Sequence, residues 1–170
     1  MYRDGSTEPW VVDILCALVR AIKPTTIVET GTYKAMTTIK LIEAAESYQD
    51  EHDCRIYTIE SDLERARAAE TLLRTQDRGY ATVVVGMAEQ VLAGMDMGVV
   101  DFIFLDDDHT AAHVREEIRL ALKILRPGGI VCGHDVVGHF GLGDVFKEYG
   151  GVVLDLPRLH LAGGLGIVVK

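Results

Sequence analysis

The sequence predicts an α/β fold: a doubly wound, seven-stranded sheet, parallel except for an antiparallel last strand, with helices on both faces. Two observations carry this. Short β-branched runs alternate with amphipathic runs along the whole chain, the pattern of a mostly parallel sheet covered on both sides. The last two strand-like runs, residues 151–156 and 165–169, are separated only by residues 157–164. That stretch has no room for a crossover helix, so the final strand must turn back antiparallel.

The elements follow in order. Thr7-Glu8-Pro9 opens a helix over about residues 8–22, with proline placed early, where its missing N–H costs nothing. Trp10, Ile14, Leu15, Leu18 and Ile22 recur at helical spacing, and Pro24 stops the run. Residues 26–29 read as a buried strand and 35–47 as a helix with Ile39, Ile42 and Ala45 on one face. Residues 55–59 form a second strand. Ser61-Asp62-Leu63-Glu64 has capping-box spacing and starts a helix to about Thr75. A third strand at 82–85, a short helix at 88–92 and a strongly apolar fourth strand at 99–105 come next. Val114, Ile118, Ala121, Leu122 and Leu125 mark a helix ending before Pro127-Gly128-Gly129. A fifth strand at 130–133 and a short helix at 144–149 precede the terminal pair. This is a Rossmann-like order. No repeat, linker or composition shift divides the chain, so residues 1–170 read as one domain without a separate cap.

The 170 residues carry 17 Lys plus Arg against 26 Asp plus Glu, a formal net charge of −9. That balance repels phosphate backbones, so no nucleic-acid partner is expected. Asp13 interrupts the apolar residues 11–19, which are in any case too short to span a bilayer. The first residues lack the basic-then-apolar pattern of a signal peptide. No membrane partner and a cytoplasmic location are therefore expected. Cys16, Cys54 and Cys132 are odd in number, widely spaced and set in apolar segments, which reads as buried free thiols.

Ligands of open α/β sheets bind outside the carboxyl ends of the strands. The first strand ends Glu29-Thr30-Gly31-Thr32-Tyr33, where Gly31 permits close backbone approach. Its single glycine is not the GxGxxG dinucleotide fingerprint, which leaves a nicotinamide-dependent dehydrogenase as a distant reading. Glu60 ends the second strand, as an acceptor for ribose hydroxyls or as an acid at a helix N-terminus. Met87-Ala88-Glu89 follows the third. Asp106-Asp107-Asp108-His109 follows the fourth; three adjacent carboxylates there suggest a hard-metal or functional site, or a solvated loop that caps the next helix. Gly133-His134-Asp135 ends the fifth, and the topology brings Asp135 beside Asp106.

Together with Leu125-Arg126-Pro127-Gly128-Gly129, these segments resemble class I S-adenosylmethionine-dependent methyltransferases. They are most similar to the small O-methyltransferase-like group with an Asp-Gly-Asp-His pattern after the fourth strand. The resemblance runs from about Trp10 to Val169. It implies that residues 29–33 hold the methionine end of S-adenosylmethionine, that Glu60 binds its ribose, and that Met87, Ala88 and Glu89 border its adenine. Asp106 would lie near the methionine amine or a divalent metal. Three positions depart from the pattern: Asp107 replaces its glycine, Ala35 stands where glycine is frequent, and Met87 where an acid often contacts adenine.

The expected activity is methyl transfer to an oxygen of a small molecule. Asp106 and His109 would be catalytic, with His109 accepting the acceptor's proton. A Mg²⁺-like or other divalent metal held by Asp106 and Asp135 would lower the acceptor's pKa. His134 would join that metal or orient Asp135. Transfer to nitrogen, metal-independent transfer, or non-catalytic binding of the cofactor remain alternatives, and a homodimer is open. Trp10 either packs in the core or shields the pocket. Arg158 and His160 either contact substrate or sit in a solvated loop, and residues 138–143 flank the pocket or merely turn.

Overall fold

The computed structural model describes residues 7–48, 53–75, 81–96, 98–138, 141–155 and 163–170; Arg158, His160, His139 and Phe140 lie outside them. The elements run α1 (Pro9–Ile22), β1 (Thr26–Thr30), α2 (Met36–Glu46), β2 (Arg55–Glu60), α3 (Leu63–Thr75), β3 (Ala81–Val85), α4 (Ala88–Ala93), β4 (Val100–Leu105), α5 (Ala111–Ile124), β5 (Leu125–Val137), α6 (Leu142–Glu148), β6 (Val152–Leu154) and β7 (Gly163–Val169). They build one seven-stranded sheet in the order β3-β2-β1-β4-β5-β7-β6. β7 runs antiparallel to both of its neighbours, as the short terminal connection requires.

The strand order reverses between β1 and β4, which opens a crevice at their carboxyl ends. Every residue of β4 is buried, and alternate side chains feed opposite layers. Phe102 and Phe104 join α1, α2 and α3 on one face, packing with Leu15, Ile42 and Leu73. Ile103 and Leu105 join α4, α5 and α6 on the other, packing with Leu92, Ile118 and Phe146. Trp10 packs against the first of these layers, the core role among its two readings. All three cysteines are buried free thiols.

Local chemistry moves several boundaries. α3 is capped by Asp62, not Ser61: its Oδ1 accepts from the backbone N–H of Glu64 and of Arg65, both at 2.9 Å. Ala35 is buried at φ +55° just before α2, a left-handed conformation that glycine adopts without cost. β5 starts at Leu125 instead of residue 130, because Leu125 pairs with Val100 before the register shifts to Ile130 opposite Phe102. At the amino-terminal end of the sheet, Asp101 Oδ2 accepts from the N–H groups of Thr25 and Thr26 at 2.8 and 2.9 Å, and Oδ1 pairs with Arg126 at 2.6 Å. One carboxylate there ties β1, β4 and β5 together.

Phe146 of α6 lies flat on two glycines that face each other across β5 and β7. A Cβ added to Gly133 would come within 2.3 Å of its ring, and one added to Gly166 within 2.4 Å. Phe146 is 0% exposed. Phe146→Ala is expected to cost roughly 3–5 kcal/mol. Urea denaturation followed by circular dichroism checks it; an unchanged midpoint would contradict this packing.

Candidate active site

A cavity of about 670 Å³ opens at the carboxyl ends of β1, β2, β3, β4 and β5, lined by Gly31, Tyr33, Glu60, Met87, Ala88, Glu89, Asp106, His109, His134 and Asp135 among others. Most of the expected site residues therefore converge. Gly31 is required by the chain itself: at φ +82°, a Cβ there would meet the Asp106 carbonyl oxygen at 2.1 Å. Glu60 is 6% exposed. Its Oε2 accepts from the Tyr33 N–H at 2.9 Å and its Oε1 from the Asp62 N–H at 3.0 Å. These bonds hold the carboxylate rigidly and leave two of its roughly four acceptor positions for a ligand.

Three expected residues sit beneath the cavity instead of facing it. Glu29 is 1% exposed, and its Oε2 accepts from the hydroxyls of Thr38 at 2.5 Å and Thr58 at 2.7 Å. Burial raises its pKa to about 7, against those two hydrogen bonds. Thr30 is fully buried. The Thr32 hydroxyl bonds that of Thr58 at 2.6 Å, and Thr32 borders a small adjoining recess with Thr7 and Thr37.

The deepest wall is a charge network. His134 Nδ1 faces Asp106 Oδ1 at 2.9 Å, and its Nε2 is hydrogen-bonded to the Glu8 carboxylate. Burial by itself lowers the pKa of this imidazole. The bonds to Asp106 and Glu8 outweigh that and push it up from its ordinary 6.5 to about 10, so His134 is an imidazolium at neutral pH. Burial raises the Asp106 pKa, but hydrogen bonds from His109 and His134 more than offset it and leave it below the ordinary value. Thr7 donates to Asp106 Oδ2 at 2.8 Å. His109 Nε2 lies 3.4 Å from Asp106 Oδ1 and 3.3 Å from Asp135 Oδ2. Asp106 raises the His109 pKa, with burial opposing.

Thr7 and Glu8 carry no signal of this role in the sequence, where they read as the start of α1. Glu8 does occupy the N-cap position, yet its side chain caps nothing and turns to His134. Asp135 reaches His109 because the β5–β7 register breaks between His134 and Val137, with Asp135 at φ +54°.

Residues 28–136, well over half of the chain, match the family model described as a methyltransferase domain. The chain belongs to this methyltransferase family. No curated protein matches it. Solved structures share the fold at low identity. An O-methyltransferase from Bacillus cereus in complex with SAH (S-adenosylhomocysteine) aligns with a TM-score of 0.81 at 21% identity, over 98% of this chain and 84% of that one. The O-methyltransferase TomG from Streptomyces achromogenes, in complex with SAM (S-adenosylmethionine), gives 0.79 at 21%, over 99% and 83%. An SAH-bound methyltransferase from Podospora anserina gives 0.74 at 18%, over 98% and 81%. No helix of the methyltransferase among the described residues is long and apolar enough to cross a membrane.

The methyltransferase's donor set suits a nucleoside cosubstrate. The cavity is of ligand size, and the anchored Glu60 offers acceptors for a diol. The expected metal triad fits less well. Ligand atoms of Asp106 group with His109 and His134, whereas those of Asp135 group with Glu8 and His134. Asp106 faces Nδ1 of the His134 ring and Asp135 approaches Nε2, at 3.7 Å. The two acids thus face different nitrogens of His134, and meet instead at His109 Nε2.

The raised pKa of His134 fixes a pH dependence. Its stabilising contribution is fully present below 6.5 and is lost as pH rises toward about 10. Glu117, buried on α5 and raised from 4.5 to about 10 by burial and by Asp107, loses stability in the same direction over a wider window. The Tm should therefore fall between pH 6.5 and 9.5. In His134→Gln, which keeps only the Glu117 part, the curve should be flatter. The variant should melt several degrees lower at pH 6.5, at about 2–4 °C per kcal/mol, and the gap should narrow toward pH 9.5. Scanning calorimetry across that range checks it; a gap independent of pH would refute the ion pair.

Proposed function

We propose that this methyltransferase moves a methyl group from S-adenosylmethionine to an oxygen of a small molecule, with His109 as general base. The observation that carries the reading is His109 Nε2 suspended between Asp106 and Asp135 at the edge of the Gly31–Glu60 cavity. The cofactor supplies a sulfonium methyl open to in-line displacement. Glu60 accepts the ribose hydroxyls, Met87, Ala88 and Glu89 border the adenine, and Asp106 and the turn at Gly31 hold the methionine end. The three structural relatives named for bound SAM or SAH support this choice.

The chain's own work is positioning and proton removal. Asp106 is fixed by His134 and Thr7, so it orients the His109 ring without swinging. His109 takes the acceptor's proton at its other ring nitrogen, Nδ1, while Nε2–H stays directed at Asp106 and Asp135, whose carboxylates stabilise the imidazolium that results. A net charge of −9 supports a small-molecule acceptor over nucleic acid.

Two outcomes follow. Isothermal titration with S-adenosylhomocysteine should show Glu60→Ala binding roughly 10–100-fold more weakly, the loss of a charge-assisted hydrogen bond or two; unchanged affinity would remove Glu60 from the site. Because Asp106 raises the His109 pKa, and a base must be deprotonated, kcat should climb with pH above the ordinary histidine value of 6.5. His109→Gln should abolish that limb and lower kcat by roughly 10²–10⁴. A pH–rate profile of both proteins checks this; an identical acid limb in the variant would assign the base elsewhere.

A further inference from the structure

Beside the His134 network, and not part of it, lies a second cluster that the methyl-transfer reading leaves unused. We propose that Asp107, His113 and Glu117 bind a divalent transition-metal ion of the Zn²⁺ type, on the α5 side of the cavity. Their ligand atoms all lie within 4.8 Å of one another. His113 Nε2 is 3.2 and 3.1 Å from the two Asp107 oxygens and 3.5 Å from Glu117 Oε2. A tetrahedral ion with bonds of about 2.0–2.2 Å sets its ligand atoms roughly 3.3 Å apart, so the three groups already stand at ligand spacing. His113 and Glu117 are four residues apart on α5 and share a face.

Glu117 is the observation that points to a ligand. It is 0% exposed, neither of its oxygens makes a hydrogen bond, and it is turned toward Asp107 and His113. Native proteins rarely leave a buried carboxyl in that state. A cation between the three groups would take the place of the proton on Glu117 and give its oxygens a partner. The far ring nitrogen of His113 faces Glu89 Oε1 at 3.6 Å, where metal-bound imidazoles usually meet a carboxylate that orients them. One imidazole with two carboxylates favours Zn²⁺, Mn²⁺ or Fe²⁺ over Mg²⁺ or Ca²⁺. Asp107 and His113 line the main cavity, which gives the ion a route in and leaves room for water as a further ligand. Bound there, it fastens the loop after β4 to α5.

The test is metal binding by the whole chain. Protein stripped with chelator is titrated with Zn²⁺ by calorimetry, and with Co²⁺ by visible absorption. The wild type should take up one tight equivalent, and Co²⁺ should give a ligand-field band. Glu117→Gln and His113→Gln should each weaken Zn²⁺ binding at least tenfold and abolish the band, whereas His134→Gln should keep both. Melting curves without metal establish that the variants fold. Should Glu117→Gln misfold, His113→Gln decides alone, since its side chain is 12% exposed at the cavity wall. The proposal is overturned if the wild type binds no Zn²⁺, if His113→Gln binds it unchanged, or if only His134→Gln loses it. Loss of methyl transfer or of S-adenosylhomocysteine binding has no bearing on these readouts, so this inference and the methyl-transfer reading fail separately.

Discussion

Everything at the carboxyl edge of the sheet hangs on one cation, the His134 imidazolium. Asp106 and Glu8 are carboxylates 15% and 9% exposed at the side chain, and neither tolerates burial as an unpaired charge. A single imidazole on β5 answers both, one through each ring nitrogen. The chain consequences are large. Asp106 follows β4, and Glu8 precedes α1, so the same ring pins the segment before α1 across the end of the sheet. With Asp106 immobilised, Thr7 gains a fixed acceptor and His109 a fixed neighbour. Were the ring neutral, one of the two carboxylates would lose its donor, and Thr7 would be left to hold the segment before α1 to Asp106.

The next constraint is the direction of successive side chains after β4. Asp106 turns toward His134 and His109; Asp107, one residue on, turns toward His113 and Glu117 on α5. One short loop thus serves two unlike clusters. The first sets Glu8, Asp106 and Asp135 around the His134 imidazolium and His109. The second has two carboxylates against one imidazole, and its Glu117 oxygens are left without hydrogen-bond partners. The difference is the basis for proposing proton chemistry on the His109 side and cation binding on the α5 side.

Much of this was legible in the amino-acid pattern, and the failures share a cause. Strand and helix positions, the antiparallel terminus and the convergence of residues 31, 33, 60, 87–89, 106, 109, 134 and 135 follow from periodicity and topology, which are local or nearly so. Glu8 was not legible as a site residue, because a helix N-cap acid has an ordinary local explanation and its partner lies 126 positions away. The capping role of Asp62 over Ser61, and the early start of β5, are one-residue choices between near-equal local solutions. The split of Asp106 from Asp135 across the His134 ring depends on a register break and a left-handed Asp135, neither of which has a sequence signature. The same holds for Glu117, which reads as one more charge on a helix until α5 is docked.

The sign of the cavity bears on how such a site accelerates a reaction. Six carboxylates line it, those of Glu60, Glu89, Asp106, Asp107, Asp108 and Asp135, against Arg65 and three histidines. An acidic cavity of this kind attracts a cationic sulfonium donor and attracts its uncharged thioether product less, which assists exchange of one for the other. It does not by itself assist the transfer, because sulfonium charge is dispersed as the methyl moves, and an anionic wall stabilises the ground state at least as well as the transition state. Only interactions stronger in the transition state raise the rate. On the proposed mechanism those are the alignment of the two reactants over a rigid floor, where Gly31 touches the end of β4, and the deepening of the imidazolium–carboxylate attraction as His109 takes up its proton beside Asp106 and Asp135.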